Sequence, residues 1–329
     1  MSSGKSDPGS DWRPTASLAA LQRRARMLAK AREFFTSRGL LEVETPILSA
    51  GAVSDPQIES LATRVAGMPG PSYLSTSPEY PMKRLLAAGS GDIYQVCKVF
   101  RDAERGRWHN PEFTMIEWYR LRMDDAALMD EVEALVAALL RPQRHLESAE
   151  RLSYCAALQR HAGVDAFKSS DQELSGAAKA HGIVCDAQLD RDATLDLLMG
   201  LIVGPKLGHD ERPCFICDYP ASQAALARVK PGLPAVAARF ELYLDGVELA
   251  NGFHELQDAA EQRGRFNQDL RVRAERGLPR RPLDERLLAA LETGLPECAG
   301  VALGFDRLVA LALRADALAG AMAFTIDNA

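Results

Sequence analysis

The sequence lacks the features that mark membrane, secreted and fibrous proteins. No apolar run reaches the ~18 residues that a membrane span needs, and the polar start MSSGKSDPGSDWRP has no hydrophobic core of a signal peptide. Its six cysteines are scattered over 329 residues, a usage typical of a reducing compartment rather than of a disulfide framework. We therefore expect a cytoplasmic protein with free thiols and no membrane partner.

An excess of positive charge is also missing. The chain has 39 Lys and Arg residues against 45 Asp and Glu residues, a formal net charge of −6 that argues against general nucleic-acid binding. Residues 1–40 are the exception, because eight basic and three acidic residues give this segment +5 and leave −11 for the rest. Its arginines, Arg24 and Arg32 among them, form either an ordinary solvated helix face or a docking strip for an acidic partner.

What is present predicts an α+β fold. Apolar spacing predicts a helix over 17–38, and the β-rich runs at 92–101 and 111–121 predict an antiparallel pair around a polar loop. Asp245-Gly246 between two apolar runs predicts a hairpin, and residues 300–313 predict a strand that leads into a helix. A first helix followed by a mainly antiparallel sheet flanked by helices is an α+β pattern.

The strand at 111–121 and the loop before it contain the first candidate site residues. Glu117 and Tyr119 share a face of the strand, where the carboxylate is either an exposed acid or a socket for a cationic ligand group. The preceding loop holds Arg101, Arg107 and His109, a set suited to polyphosphate, although a cationic loop can also be merely solvated.

Two later segments add candidate ligands. Glu248, Asn251 and Glu255 fall within eight residues after the hairpin turn, and they are either ordinary exposed polar groups or oxygen ligands for Mg²⁺. Gly304 would let the backbone approach a flat ligand, and Arg307 follows at a helix start, where backbone amides favour anions. Each segment alone is weak evidence for a site.

Together and in this order, the segments resemble the three signature motifs of class II aminoacyl-tRNA synthetases. The helix, strand and proline over 17–46 resemble motif 1, FR followed by HNPEF at 100–113 resembles motif 2, and GFDR at 304–307 resembles motif 3. The resemblance implies an α+β catalytic domain of that class.

Within this class the chain is most similar to lysyl-tRNA synthetases. The similarity lies in HNPEFTMIEWY at 109–119, the turn Ser77-Pro78-Glu79 and ELANGFHEL at 248–256. TSPEYPMKRLL and GVALGFDRL further resemble the short paralogs that attach lysine, preferably (R)-β-lysine, to a lysine side chain of translation elongation factor P. The resemblance therefore implies ATP-dependent activation of lysine or β-lysine and a protein acceptor.

The resemblance also implies a domain organisation. We expect a flexible segment at 1–15 and one catalytic domain at 16–329, without the anticodon-binding domain of lysyl-tRNA synthetases, so that normal tRNA recognition is not expected. A homodimer is expected because residues 17–46 resemble the dimer-forming element of the family. A truncated lysyl-tRNA synthetase that charges tRNA and an inactive paralog that only binds lysine or ATP are the alternatives.

Roles for individual residues follow from the same resemblance. Arg101 and Arg307 would be the catalytic residues. The ATP site would comprise Arg101, Asp102, Ala103, Arg107, His109, Asn110, Glu248, Leu249, Gly304 and Arg307. The amino acid would contact Ser77, Pro78, Glu79, Glu117, Tyr119, Asn251 and Glu255. Mg²⁺ would bind to Glu248 and Glu255.

Motif 2 departs from the family pattern at one position. Class II enzymes have Arg-x-Glu, whereas this chain reads Arg101-Asp102-Ala103-Glu104. Either Glu104 replaces the missing carboxylate through a shifted loop, or main-chain groups suffice, or catalysis is impaired. A second difference is Ala302, where lysyl-tRNA synthetases tend to have glycine, and its methyl group would reshape the substrate pocket.

Overall fold

A computed structural model of the chain describes residues 12–183 and 189–329. Most of the predicted flexible segment, residues 1–11, lies outside these ranges, as does Cys185; Thr15 is fixed by a hydrogen bond from its amide to the carbonyl of Ala323 (2.8 Å). The other five cysteines are free thiols, as predicted. None of the helices in the two described ranges is long and apolar enough to cross a membrane.

The chain alternates helices with strands, and the sheet is assembled from segments that are distant in sequence. The helices are α1 (Leu18–Thr36), α2 (Glu79–Ala87), α3 (Asp125–Leu140), α4 (Tyr154–Ala162), α5 (Asp171–Ala180), α6 (Arg191–Leu198), α7 (Ala259–Glu275), α8 (Glu285–Gly294) and α9 (Phe305–Ala312). The strands are β1 (Leu41–Glu42), β2 (Leu48–Ser49), β3 (Ala62–Thr63), β4 (Ser72–Leu74), β5 (Ile93–Phe100), β6 (Glu112–Leu121), β7 (Glu150–Ser153), β8 (Cys214–Pro220), β9 (Val229–Lys230), β10 (Val236–Leu244), β11 (Val247–His254) and β12 (Cys298–Gly304).

Local sequence signals set several of these boundaries. Ser17 caps α1 by accepting a hydrogen bond from the amide of Ala20, and Gly39 follows the helix with φ +76°. Asp245 and Gly246 both have positive φ in the two-residue turn between β10 and β11, which is the requirement of a tight hairpin. The predicted first helix and the predicted hairpin are therefore confirmed.

One large sheet organises the molecule. Its strand order is β1-β5-β6-β12-β11-β10-β8-β7, with β9 beside β10. Only the edge pairs β1/β5 and β7/β8 are parallel, so the predicted mainly antiparallel α+β fold is confirmed. The short strands β7 and β9 show no alternation of apolar residues, so the sequence pattern does not predict them.

The two faces of the sheet have different chemistry. One face is apolar and is covered by α1, α3 and α9, with Phe35, Trp118, Phe240 and Phe305 fully buried in the resulting core. Because side chains alternate across a strand, the strand residues next to Trp118 and Phe240 point to the opposite face, where they line a large cavity. The site is therefore built on a rigid, well-packed support.

A β-bulge in β11 decides which residues reach the cavity. Tyr243 lies opposite Glu248 whereas Leu242 lies opposite Ala250, so Leu249 is an extra residue in the ladder. The extra residue brings Glu248 onto the same face as Asn251, which strict alternation would have placed on the other side. Leu249 and Ala250 pack into the core instead.

Candidate active site

The cavity on the polar face of the sheet has a volume of about 1160 Å³. Its floor is formed by β6, β10, β11 and β12, and its walls come from the loop at 46–60, the start of α2 and one side of α7. Its lining includes Ser77, Glu79, Arg101, His109, Asn110, Glu117, Tyr119, Glu248, Leu249, Asn251, Glu255, Gly304 and Arg307. The structure therefore brings together most of the residues predicted from three separate parts of the sequence.

Glu117 lies at the closed end of the cavity and is 2% exposed. Tyr119 donates a hydrogen bond from its hydroxyl to Glu117 Oε1 (2.7 Å), and Ser77 donates to Oε2 (2.8 Å). Burial, together with the negative charge of Glu79, raises the pKa of Glu117 to about 7. The carboxylate is thus fixed in orientation, and among the described residues it forms no ion pair, which suits the binding of a cationic ligand group.

Lys83, which sequence reasoning missed, lies beside this carboxylate. Its Nζ is 2.7 Å from Glu79 Oε1 and 2.6 Å from Glu255 Oε2, and the side chain is buried. Burial disfavours the ammonium, but Glu255 and Glu79 outweigh it and raise the pKa of Lys83. The only sequence signal was its position four residues after Glu79 on a helix, a spacing that lets the two side chains meet.

The charges at this closed end do not balance. Glu79, Glu117 and Glu255 provide three carboxylates, and Lys83 provides one ammonium group. Burial, which the Lys83 charge only partly offsets, and the neighbouring carboxylates also raise the pKa of Glu255. With all groups ionised, the pocket would therefore hold two uncompensated negative charges next to the cavity.

Gly300 provides the space for this arrangement. A Cβ at this position would lie 2.2 Å from the Tyr119 ring and 2.6 Å from Glu255 Oε1, so no larger residue fits without moving both. Ala302 lies between Glu117 and Asn251 in the ladder, so its methyl group is on the pocket floor as predicted.

Arg307 organises the opposite end of the cavity. Its guanidinium donates hydrogen bonds to the carbonyls of Trp108 (3.1 Å) and Glu248 (2.9 Å), and Nη2 lies 2.9 Å from His109 Nε2. Burial and the charge of Arg307 lower the pKa of His109, so a neutral imidazole accepts this contact. The start of α9 is in this way joined to the motif 2 loop and to β11.

The loop after Arg101 bears on the missing motif 2 glutamate, in whose place this chain has Ala103. Ala103 adopts φ +61°, and its amide is bound by the side chain of Asp102. This left-handed residue turns the next one, Glu104, into the cavity lining, where Oε1 lies 3.4 Å from Arg101 Nη1. The arrangement supports the first of the three alternatives, in which a shifted loop lets Glu104 supply the carboxylate.

Apart from Ala103, three predicted ATP or substrate residues do not line the cavity, and a fourth, Asn110, lines it but has its side chain engaged by the main chain. Arg107 is 64% exposed and contacts Asp316, away from the cavity. Asn110 uses its side chain to bind the main chain of residues 112 and 326, so its amide is engaged structurally. Asp102 and Pro78 do not line the cavity, and they shape the motif 2 loop and the start of α2. A direct ligand contact of each remains a prediction.

The two predicted Mg²⁺ ligands lie at different ends. Glu255 is engaged by Lys83, whereas Glu248 Oε2 lies 3.7 Å from Arg307 Nη1. Burial and the charge of Glu241 raise the pKa of Glu248, although the charges of Arg307, Arg101 and Arg239 act in the opposite direction. No group of three or more metal-ligating side chains occurs in the described part of the chain. A metal site shared by Glu248 and Glu255 stays a prediction.

Comparison with known proteins agrees with this geometry. The model of the family "tRNA synthetases class II (D, K and N)" matches residues 9–328. A Klebsiella pneumoniae protein named elongation factor P--(R)-beta-lysine ligase is 50% identical over 325 residues, 97% of this chain and 98% of that protein. A Salmonella dublin protein of the same name is 51% identical over the same shares. The chain thus belongs to the class II tRNA synthetase family that includes the enzymes for aspartate, lysine and asparagine.

Proposed function

We propose that this chain is an ATP-dependent ligase that activates (R)-β-lysine, or lysine, as an aminoacyl-adenylate and transfers it to a lysine side chain of translation elongation factor P. The observation that carries the proposal is the charge imbalance at the closed end of the cavity. Lysine and β-lysine both carry two ammonium groups, which match the two uncompensated charges among Glu79, Glu117 and Glu255. The relatives' names and their coverage of this chain support the same substrate and acceptor.

The first step joins the two ends of the cavity. With its ε-ammonium at Glu117 and Glu255 and the amino group near its carboxylate at Glu79, the amino acid presents its carboxylate toward Arg101. A carboxylate oxygen attacks the α-phosphorus of ATP, the bond to the β-phosphate oxygen breaks, and pyrophosphate leaves. Arg101 and Arg307 stabilise the charge that develops on the phosphates, and fixed positions make the reaction effectively unimolecular.

Mg²⁺ fits the phosphate end of the site. Within the described residues the Glu248 carboxylate accepts no hydrogen bond, and it lines the cavity near Arg307. We propose that Glu248 contributes an oxygen ligand and that phosphates and water supply the others, as is usual for Mg²⁺. The ion would neutralise phosphate charge when bound.

The second step needs an acceptor amine. The ε-amine of the acceptor lysine attacks the carbonyl carbon of the adenylate, a C–N bond forms, the C–O bond to the phosphate breaks, and AMP leaves as the amine loses a proton. An acceptor that works in translation implies a reaction in the cytoplasm, and cognate tRNA is not required. We also propose a homodimer through the motif 1 segment, where Leu18 and Leu41 are exposed.

ATP–pyrophosphate exchange tests the proposal. The protein is incubated without tRNA, at millimolar Mg²⁺, with L-lysine and with each β-lysine enantiomer in parallel, and then with elongation factor P. We expect exchange with a lysine isomer and a mass increase of one lysyl residue on elongation factor P. Absence of exchange with every isomer would leave a paralog that only binds, and aminoacylation of tRNA instead of the protein would favour the truncated synthetase.

A further inference from the structure

Arg24 is a charged residue on the core-facing side of a helix. It lies between Ala20 and Met27, and with Ala31 these positions form one stripe of α1 at helical spacing; the three apolar residues are buried. The Arg24 side chain is 19% exposed, compared with 45% for Arg32 on the same helix. A charge in a core-facing stripe requires partners.

The partners come from motifs 2 and 3. Arg24 Nη1 forms an ion pair with Asp306 Oδ1, and Nη2 donates to Thr114 Oγ1 (2.8 Å). The second oxygen of Asp306 accepts a hydrogen bond from the amide of Thr114 (2.6 Å). Asp306 is 2% exposed, and the Arg24 guanidinium also lies 5.0 Å from the Phe305 ring. The predicted docking strip thus loses Arg24, whose charge is used inside the protein.

These contacts fix the first turn of α9 at one point. Asp306 is held by Arg24 from α1 and by Thr114 from β6, and the next residue is Arg307. Arg307 in turn reaches His109 and the carbonyl of Glu248. A shift of the helix start would therefore move the guanidinium at the phosphate end, whereas the ammonium end rests on α2, on β12 and on the part of β6 beyond Thr114.

We propose that Arg24 is a positioning residue for ATP binding, acting through Asp306 on Arg307 without touching either substrate. The proposal rests on the proposed function only for the identity of the two substrates. It is tested by equilibrium binding of ATP with Mg²⁺ in the absence of amino acid, so that failure of lysine activation and failure of the positioning role are separate results.

The decisive variants are Arg24→Met and Arg24→Lys. We expect Arg24→Met to weaken ATP binding about 10-fold, because displaced groups away from the chemistry have effects of this order, and to change (R)-β-lysine binding less than twofold. Arg24→Lys keeps the charge beside Asp306 and should recover ATP binding to within about threefold of the unmodified protein. Arg32→Met is the matched control, because Arg32 pairs with Glu42 (2.9 Å) on the surface.

Stability is controlled with a paired variant. Arg24→Met leaves the buried Asp306 carboxylate without its cation, which can unfold the protein. If it does, Arg24→Met with Asp306→Asn replaces it, since both charges are then removed, and the same loss of ATP binding is expected. Equal weakening of ATP and β-lysine binding, a comparable loss in Arg32→Met, or no improvement from Arg24→Lys would overturn the positioning role and leave Arg24 as a support of α1.

Discussion

The two ends of the cavity are built in different ways. At the ammonium end, Glu117 and Tyr119 stand on a central strand, Lys83 is buried in α2, and each carboxylate is oriented by short contacts. At the phosphate end, Arg101 and His109 come from a loop and are partly exposed; Arg307 contacts His109, and Arg101 contacts Glu104 of the same loop. The comparison suggests that the amino-acid site is rigid and preorganised, whereas the structure of the ATP site depends on contacts between long side chains.

Glu117→Gln should produce the largest change, because it removes the unpaired buried carboxylate of the ammonium end. We expect binding of (R)-β-lysine to weaken by about 2–5 kcal/mol, the range for breaking a buried charge pair, with ATP affinity nearly unchanged. Isothermal titration with each ligand measures both. Glu112→Gln, on the same strand but exposed and paired with Lys98, is the control. Equal losses for both ligands would make Glu117 a structural residue.

Arg307→Met should impair the chemistry at the phosphate end and leave amino-acid binding at the ammonium end nearly unchanged. Its loss removes a donor to the developing phosphate charge, so we expect the rate of pyrophosphate exchange to fall by about 10²–10³-fold. Binding of (R)-β-lysine should stay within a few-fold of the unmodified protein, because Arg307 contacts none of the three carboxylates that hold the amines. A matching loss of amino-acid binding would mean that the two ends are not independent.

Two glycine substitutions sharpen the comparison. Gly300→Ala forces a methyl group against the Tyr119 ring and Glu255, and should lower the free energy of unfolding by about 1–3 kcal/mol. It should also weaken the binding of β-lysine. Gly304→Ala meets protein atoms no closer than 3.7 Å, so the stability should hardly change. Chemical denaturation measures both variants. If the Gly304 methyl nevertheless weakens ATP binding, the nucleotide approaches this strand closely, as the family resemblance implies.

The pH dependence of β-lysine affinity should be a smaller effect than those of the substitutions above. Because the pKa of Glu117 is raised to about 7, β-lysine affinity should rise with pH up to that value, by at most about tenfold per pH unit. The stabilising effect of the protonated carboxyl is present below the unfolded-state pKa and is lost as pH rises through about 7, so the free protein should lose stability there. Glu117→Gln should remove the part of both curves that is due to Glu117 and leave the part due to Glu255, whose pKa is also raised; an unchanged profile would assign the titration to another group.

Sequence reasoning reached further for the strands than for the loops. The placement of Glu117 and Tyr119 on one face follows from the period of a strand, and the hydrogen bond between them agrees with it. Arg107 was predicted from a cationic loop, but loop direction depends on contacts such as that with Asp316, which composition does not encode. Glu104 lies in the site because Ala103 adopts the left-handed conformation, which is rare for alanine and cannot be predicted from its presence in the sequence.

The limits at the ammonium end are different. The sequence does not indicate that Lys83 is buried, because only the tertiary fold brings Glu255 Oε2 within 2.6 Å of its Nζ. The shared face of Glu248 and Asn251 also depends on packing, since the sequence of a strand does not reveal where the ladder takes up an extra residue. The fold class and the types of residue that form the site were therefore predictable from the sequence. The end of the cavity to which each carboxylate belongs was not.

The bulge at Leu249 constrains how this chain can vary in length. Every residue of β11 after the bulge faces the side set by that one extra position. Deletion of Leu249 would restore regular alternation, and either Glu248 or the run from Asn251 to Glu255 would be turned into the apolar core. We therefore expect a one-residue deletion here to cost more activity than a replacement of Leu249 by another apolar residue, because only the deletion changes the face of the residues that line the cavity.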